Sequence, residues 1–207
     1  MKHQSDILAL KYRPKDFSDL IGQEYLVDTI QKSIQLNKIP NAYIFTGIRG
    51  VGKTTTARIV AKMLNCTAFD NSNKPDLLNC EQAKAITEDR HPDVIEIDAA
   101  SNTSVENARE IIENVKYNPV LGKYKVYIID EVHMLSKSAF NALLKTLEEP
   151  PPHSKFIFAT TEISKVPITI LSRCQRFDLR RIDKKVLSLF LETIANKENI
   201  LIEKEAL

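Results

Sequence analysis

The stretch Ala42-Tyr43-Ile44-Phe45-Thr46-Gly47-Ile48-Arg49-Gly50-Val51-Gly52-Lys53-Thr54 sets the fold. A short apolar run reads as a buried strand. Gly47 to Thr54 then fits G-x-x-x-x-G-K-[ST], and helix-forming residues continue to about residue 65. Strand, glycine loop and helix is the context a phosphate-binding loop requires. Its glycines let backbone N–H groups curl around a phosphate, and the helix N-terminus adds a positive dipole end. Lys53 is placed to reach the β- and γ-phosphates, and the Thr54 hydroxyl to take a position on Mg²⁺. The motif points to a nucleoside triphosphate as ligand.

Outward from that loop the strand–helix alternation repeats. Strands are expected at 93–98, 125–130 and 155–160, with a short last one near 177–179. Helical spacing marks 18–37, 80–88, 102–117 and 136–149, the last ended by Pro150-Pro151-Pro152. Pro14 disfavours helix at Arg13, so Lys11 to Phe17 is expected to be extended. Residues 66–79, rich in Asn, Asp, Ser and Pro, read as an irregular connection. Near-continuous apolar strands alternating with helices predict an α/β fold, a parallel sheet with helices on both faces. From about Asp183 the pattern turns helical through Val186, Leu187, Leu189, Phe190 and Ile194. The expectation is a nucleotide-binding domain over 1–180 and the beginning of a small helical domain over 181–207.

Ligands of parallel sheets gather at the strands' carboxyl ends. Asp130-Glu131 follows Val126-Tyr127-Ile128-Ile129 at such an end. Beside a complete glycine loop, this acid pair suits a metal-linked carboxylate (Asp130) and a group that orients the attacking water (Glu131). Spacing alone says little about Thr160-Thr161 and Ser172-Arg173-Cys174, because strand-end threonines commonly form turns and loop arginines are commonly solvated.

The net charge is only +2 across 207 residues, so any nucleic-acid contact must come from a local patch. No apolar run approaches a membrane span, and no signal-peptide core begins the chain. Three scattered cysteines fit a reducing compartment better than a disulfide framework. A cytoplasmic protein is expected.

Several ordered segments carry a resemblance. Tyr12-Arg13-Pro14, Ile21-Gly22-Gln23, Gly47 to Thr54, Asp130-Glu131-Val132-His133-Met134-Leu135, Leu143 to Pro151 and Ser172-Arg173-Cys174 together resemble the gamma/tau subunits of bacterial DNA polymerase III. These are AAA+ ATPase motors of the sliding-clamp loader. The resemblance implies an ATPase of the polymerase III holoenzyme that acts in a pentameric ring with other clamp-loader subunits, a sliding clamp and primed DNA, with ATP and Mg²⁺ as ligands. It implies that Tyr12, Arg13, Pro14, Ile21 and Gly22 border the adenine, and that Gly47, Gly50, Val51, Gly52, Lys53, Thr54 and Thr55 bind phosphates and metal. It further implies that Asp130 is the metal-linked acid, Glu131 the base, Thr161 the sensor and Arg173 an arginine finger acting in trans.

Two departures alter those expectations. The family's four-cysteine zinc module is reduced here to Cys66 and Cys80, with Leu77 and Ala83 at the flanking spacings. Two thiolates cannot close the tetrahedral site that structural zinc prefers, and His91, followed by Pro92, is a poor substitute, so no zinc is expected. The turn Ala99-Ala100-Ser101-Asn102-Thr103-Ser104 is neutral where the family often carries basic residues. DNA contact is then expected to rest more on Lys137, Lys145 and neighbouring subunits, with Lys145 ahead of Lys137. A non-hydrolysing stator-like subunit of the same complex, a branch-migration helicase and a small-molecule kinase are the competing readings. The intact glycine loop counts against the first, the Leu-Glu-Glu-Pro-Pro and Ser-Arg-Cys runs against the second, and the lack of visible acceptor and lid segments against the third.

Overall fold

The computed structural model describes residues 7–68, 75–101 and 105–203. In chain order the elements are α1 (Leu8–Lys11), α2 (Glu24–Gln35), β1 (Ala42–Thr46), α3 (Lys53–Asn65), α4 (Glu81–Thr87), β2 (Val94–Asp98), α5 (Val105–Val115), β3 (Lys125–Asp130), α6 (Lys137–Glu148), β4 (Ser154–Thr160), α7 (Ile168–Leu171), β5 (Gln175–Asp178) and α8 (Lys184–Glu198), with short 3-10 turns between some of them. The five strands pair entirely in parallel in the order β2-β3-β4-β1-β5.

Side chains alternate across a strand, and here both faces are covered. From β1, Tyr43 and Phe45 enter one core with Val126, Ile128, Ile157 and Phe177, beneath α2, α3 and α4. Ala42 and Ile44 enter the other with Tyr127, Ile129, Phe156 and Phe158, beneath α5, α6 and α7. Rings stack along each layer: Tyr43 lies 6.3 Å from Phe177, and Tyr127 lies 5.4 Å from Phe156. The three inner strands β1, β3 and β4 are buried on both sides and read as apolar runs without alternation, whereas the edge strands β2 and β5 are only partly covered.

The strand and helix expectations agree with the structure to within a few residues, with three informative differences. Residues 18–37 do not form one helix. Asp16 caps a 3-10 turn over Phe17–Asp19, Gly22 takes φ +73°, and α2 begins only at Glu24. Helical spacing in Leu20 and Ile21 reflects burial against a cleft. The expected extended segment is also split: α1 is helical up to Lys11, because Pro14 restricts only its immediate predecessor. Residues 69–74 of the irregular connection and 102–104 of the neutral turn lie outside the described residues.

Asp93, expected to begin β2, precedes the paired strand and serves the opposite end of the sheet from the glycine loop. Its carboxylate accepts the N–H groups of Val120, Leu121 and Gly122, each at 2.7 Å. Burial pushes this carboxyl upward, but the backbone donors, Gly122 first, outweigh it and hold its pKa below the usual range. Asn65, at the end of α3, clasps the same loop by pairing with both backbone groups of Tyr124. Nearby, His91 accepts the Asp93 N–H at Nδ1, leaving Nε2 to donate to Gln82. Desolvation lowers the His91 pKa, favouring this neutral form. Among the described residues, no helix is long and apolar enough to cross a membrane.

Asp93→Asn should destabilise the fold by about 2–4 kcal/mol at pH 7, because an amide cannot satisfy three converging donors. Urea denaturation measures this. A depressed folded pKa means the carboxylate's contribution is complete above its unfolded pKa of about 3.9 and is lost as pH falls through the lower folded value. The stability gap between wild type and variant should therefore narrow in acid.

Candidate nucleotide site

The polar ends of β1, β3 and β4 meet on one side of the sheet. Thr46 ends β1, and the chain then enters the glycine loop, in which Gly47, Gly50 and Gly52 adopt φ of +149°, +79° and +100°. A Cβ on Gly47 would come 2.8 Å from the Leu179 carbonyl oxygen, so close backbone approach as well as conformation demands glycine there. Gly52 caps α3 in a left-handed conformation, turning the first N–H groups of that helix towards the loop. Lys53 is buried, and its ammonium donates to the Gly47 and Ile48 carbonyls, both at 3.1 Å.

The acid pair faces this loop. Thr54 donates its hydroxyl hydrogen to Asp130 Oδ2 at 2.5 Å, joining the first turn of α3 to the end of β3. The Asp130 Oδ1 atom accepts the Glu131 N–H at 2.8 Å. Glu131 itself occupies the left-handed region, with φ 45°, an uncommon conformation for a side-chain-bearing residue and one that collects at functional sites. Its Oε2 accepts both the backbone N–H and the hydroxyl of Thr161, at 3.0 and 2.9 Å. His133, its side chain buried, reaches the same Oε2 at 3.3 Å through Nδ1, Thr160 Oγ1 at 2.9 Å, and Glu162 through Nε2 at 3.4 Å.

These groups line a cleft of about 900 Å³ that includes Arg13, Lys53, Thr54, Thr55, Asp130, Glu131, His133 and Thr161. A second, apolar cavity of about 650 Å³ adjoins it at Arg13, Gly50, Gly52 and Thr55. Tyr12, Pro14, Leu20, Ile21 and Val51 form one side of that cavity, and Ile182, Phe190 and Ile194 the other. Arg13 donates to Thr55 Oγ1 at 3.1 Å, where the two spaces meet. Glu198 at the end of α8 ties that helix to the N-terminal segment: it accepts from Tyr12 at 2.5 Å and pairs with Lys11 at 2.6 Å.

A polar cleft joined to an apolar one matches the two halves of a nucleotide. The metal donors also fit: a hydroxyl and a carboxylate in contact are hard oxygen ligands of the kind Mg²⁺ uses. The structure therefore gathers Tyr12, Arg13, Pro14, Ile21, Gly50, Val51, Gly52, Lys53, Thr54, Thr55, Asp130, Glu131 and Thr161 around one continuous space, with Gly47 behind it, its carbonyl accepting from Lys53. Gly22 does not line it. That glycine makes the turn beside Ile182, and Gln23, which donates to the Arg180 carbonyl, faces the cavity instead. Arg173 and Lys145 also lie outside the space, both exposed.

Sequence reading overlooked His133, whose role depends on two loops meeting. It also overlooked the α8 side of the cavity and Glu148, which pairs with Arg173 at 2.5 Å. Only the apolar positions in α8 gave any signal. Of the three cysteines, Cys174 packs into the second core, and burial lifts its pKa to about 12. Cys66 and Cys80 meet in the first core, where burial followed by hydrogen bonding to Cys80 pushes Cys66 to about 12 as well. Among the described residues, no group of three or more metal-ligating side chains comes together.

The family profile described as "DNA polymerase III, delta subunit" matches residues 22–183. The chain belongs to this family. Across 201 residues, 97% of its length, it is 50% identical to the DNA polymerase III subunit tau/gamma of Haemophilus influenzae. It is 49% identical to the tau subunit of Escherichia coli over the same share. It spans 29% and 31% of those two relatives' own lengths. Among solved structures, a gamma subunit-related protein of Thermotoga maritima superposes with a TM-score of 0.53 at 22% identity, covering 79% of this chain and 49% of that one. The RuvB Holliday junction branch migration motor of the same organism gives 0.65 at 18% identity, covering 93% and 56%. At such identities the likeness shows the fold alone, a parallel sheet flanked by helices.

Gly47→Ala should lose nucleotide binding and lower the thermal unfolding midpoint, since its Cβ meets rigid backbone. Gly50→Ala, whose Cβ meets nothing within 4 Å, should cost only about 1–2 kcal/mol of left-handed strain. Calorimetric titration with an ATP analogue and thermal melts of both variants test the ordering.

Proposed function

We propose that the chain is the ATP-hydrolysing motor region of a clamp-loader subunit, working in a ring with other subunits to load a sliding clamp onto primed DNA in the cytoplasm. One observation carries the reading. Lys53, Thr54, Asp130, Glu131 and Thr161 converge on one cleft, while Arg173 is exposed outside it, on the turn between α7 and β5. The similarity to tau and gamma subunits supports the specific assignment over a branch-migration motor.

In this reading the base lies in the apolar cavity between Tyr12, Pro14, Ile21 and α8, and Arg13 borders its junction with the phosphates. Loop N–H groups and Lys53 hold the β- and γ-phosphates, so the ammonium exchanges the Gly47 and Ile48 carbonyls for phosphate oxygens. Mg²⁺, when bound, neutralises phosphate charge, and Thr54 and Asp130 would hold it. Glu131 orients the attacking water and polarises it. Thr161 ties that carboxylate to the end of β4, linking its position to the γ-phosphate. Arg173 completes a neighbour's site, where such a cation is worth about 10³–10⁵ in rate. Lys145, with Lys137, offers an exposed cationic face on α6 for DNA phosphates. Residues 181–207, starting with Ile182 and α8, begin the helical domain that covers the base.

An assembly reconstituted with partner subunits, a sliding clamp and primed DNA should hydrolyse ATP faster than the chain alone. Clamp and DNA together should stimulate it further; turnover indifferent to both would sink the reading. Lys53→Ala should lower turnover by about 10²-fold or more. Arg173→Ala should lower it by about 10³-fold while leaving nucleotide binding to the isolated chain unchanged.

A further inference from the structure

The run Leu147-Glu148-Glu149-Pro150-Pro151 stands apart from the nucleotide cleft, and neither phosphate nor metal chemistry accounts for it. We infer that Glu148 is a positioning residue for Arg173, holding its guanidinium in the orientation from which it enters a neighbouring subunit's site. This rests on the trans role proposed for Arg173.

The backbone at both partners is anchored. Glu148 is the last residue of α6, whose buried face includes Phe140, Leu143 and Leu147, and the prolines end the helix at once. Arg173 sits between Cys174, which packs into the core, and the turn of α7, where its N–H donates to the Ile170 carbonyl at 3.0 Å. From these fixed points the side chains meet. Arg173 donates through one terminal nitrogen to Glu148 Oε1 at 2.5 Å, and through the other to the Thr169 carbonyl at 2.7 Å and Ser172 Oγ at 3.3 Å. Three acceptors on a planar guanidinium define its plane.

The two side chains remain 32% and 50% exposed, so the pair contributes little to stability. What it supplies is aim: an unsupported arginine samples many rotamers, and a finger must arrive in one. Glu149 alongside makes no ion pair among the described residues, which makes it a control.

The test uses the reconstituted assembly with clamp and primed DNA. Glu148→Gln should lower kcat by about 3- to 30-fold, a fraction of a whole finger's effect, with KM for ATP and nucleotide affinity of the isolated chain unchanged. Glu148→Asp should recover part of the loss, and Glu149→Gln should behave as wild type. In an Arg173→Ala background, Glu148→Gln should have no further effect. Wild-type or raised kcat in Glu148→Gln, with Arg173→Ala still impaired, overturns the positioning role alone. An additive loss in the double variant also overturns it, because Glu148 would then act elsewhere. If Arg173→Ala itself leaves kcat unchanged, the trans reading fails and this inference fails with it.

Discussion

Every residue of β1 from Ala42 to Thr46 is buried, with β4 on one side and β5 on the other. That constraint governs the rest of the molecule. A strand covered on both faces has no place for a charged side chain, so polar groups are displaced to the strand ends. Thr46-Gly47, Asp130-Glu131 and Thr160-Thr161 stand at three such ends, with β1 and β4 adjacent and β3 next in order. The chemistry concentrates where the sheet's burial stops.

The opposite end of the sheet shows the same logic used for stability. There Asp93 gathers three N–H groups and Asn65 clasps Tyr124. These contacts satisfy backbone that cannot join the ladder, and they fix the loop leading into β3. The position of Asp130 therefore depends on both ends of its strand. Within the site the polar groups restrain one another: Thr54 holds Asp130, Thr161 holds Glu131, and His133 spans Glu131, Thr160 and Glu162. A change at Thr161, just past β4, is felt at the Glu131 carboxylate, just past β3, through direct hydrogen bonds.

The polar cleft and the apolar cavity differ in construction. The polar cleft is backbone and short side chains on a rigid sheet, whereas the apolar cavity is flanked by α8, which Glu198 ties to Tyr12 and Lys11. Phe190, Leu191 and Ile194 line the cavity, while Leu187 and Leu189 are exposed away from it.

The glycine loop, the strands and the acid pair were legible in the sequence because each is a local pattern: four to six apolar residues, glycines at fixed offsets, an acid after a hydrophobic run. Local pattern also misled, since apolar spacing cannot separate a helix from a loop buried against a cleft, as at Leu20 and Ile21. Residue order alone therefore determined the glycine loop, the parallel sheet and most of the residues that line the polar cleft. Only tertiary structure decided that Gln23 replaces Gly22 at the cavity, that His133 joins two carboxylates and that Glu148 meets Arg173. Those contacts bring together residues up to about 160 positions apart, and their geometry follows from helix packing on the sheet, which no short window of sequence encodes.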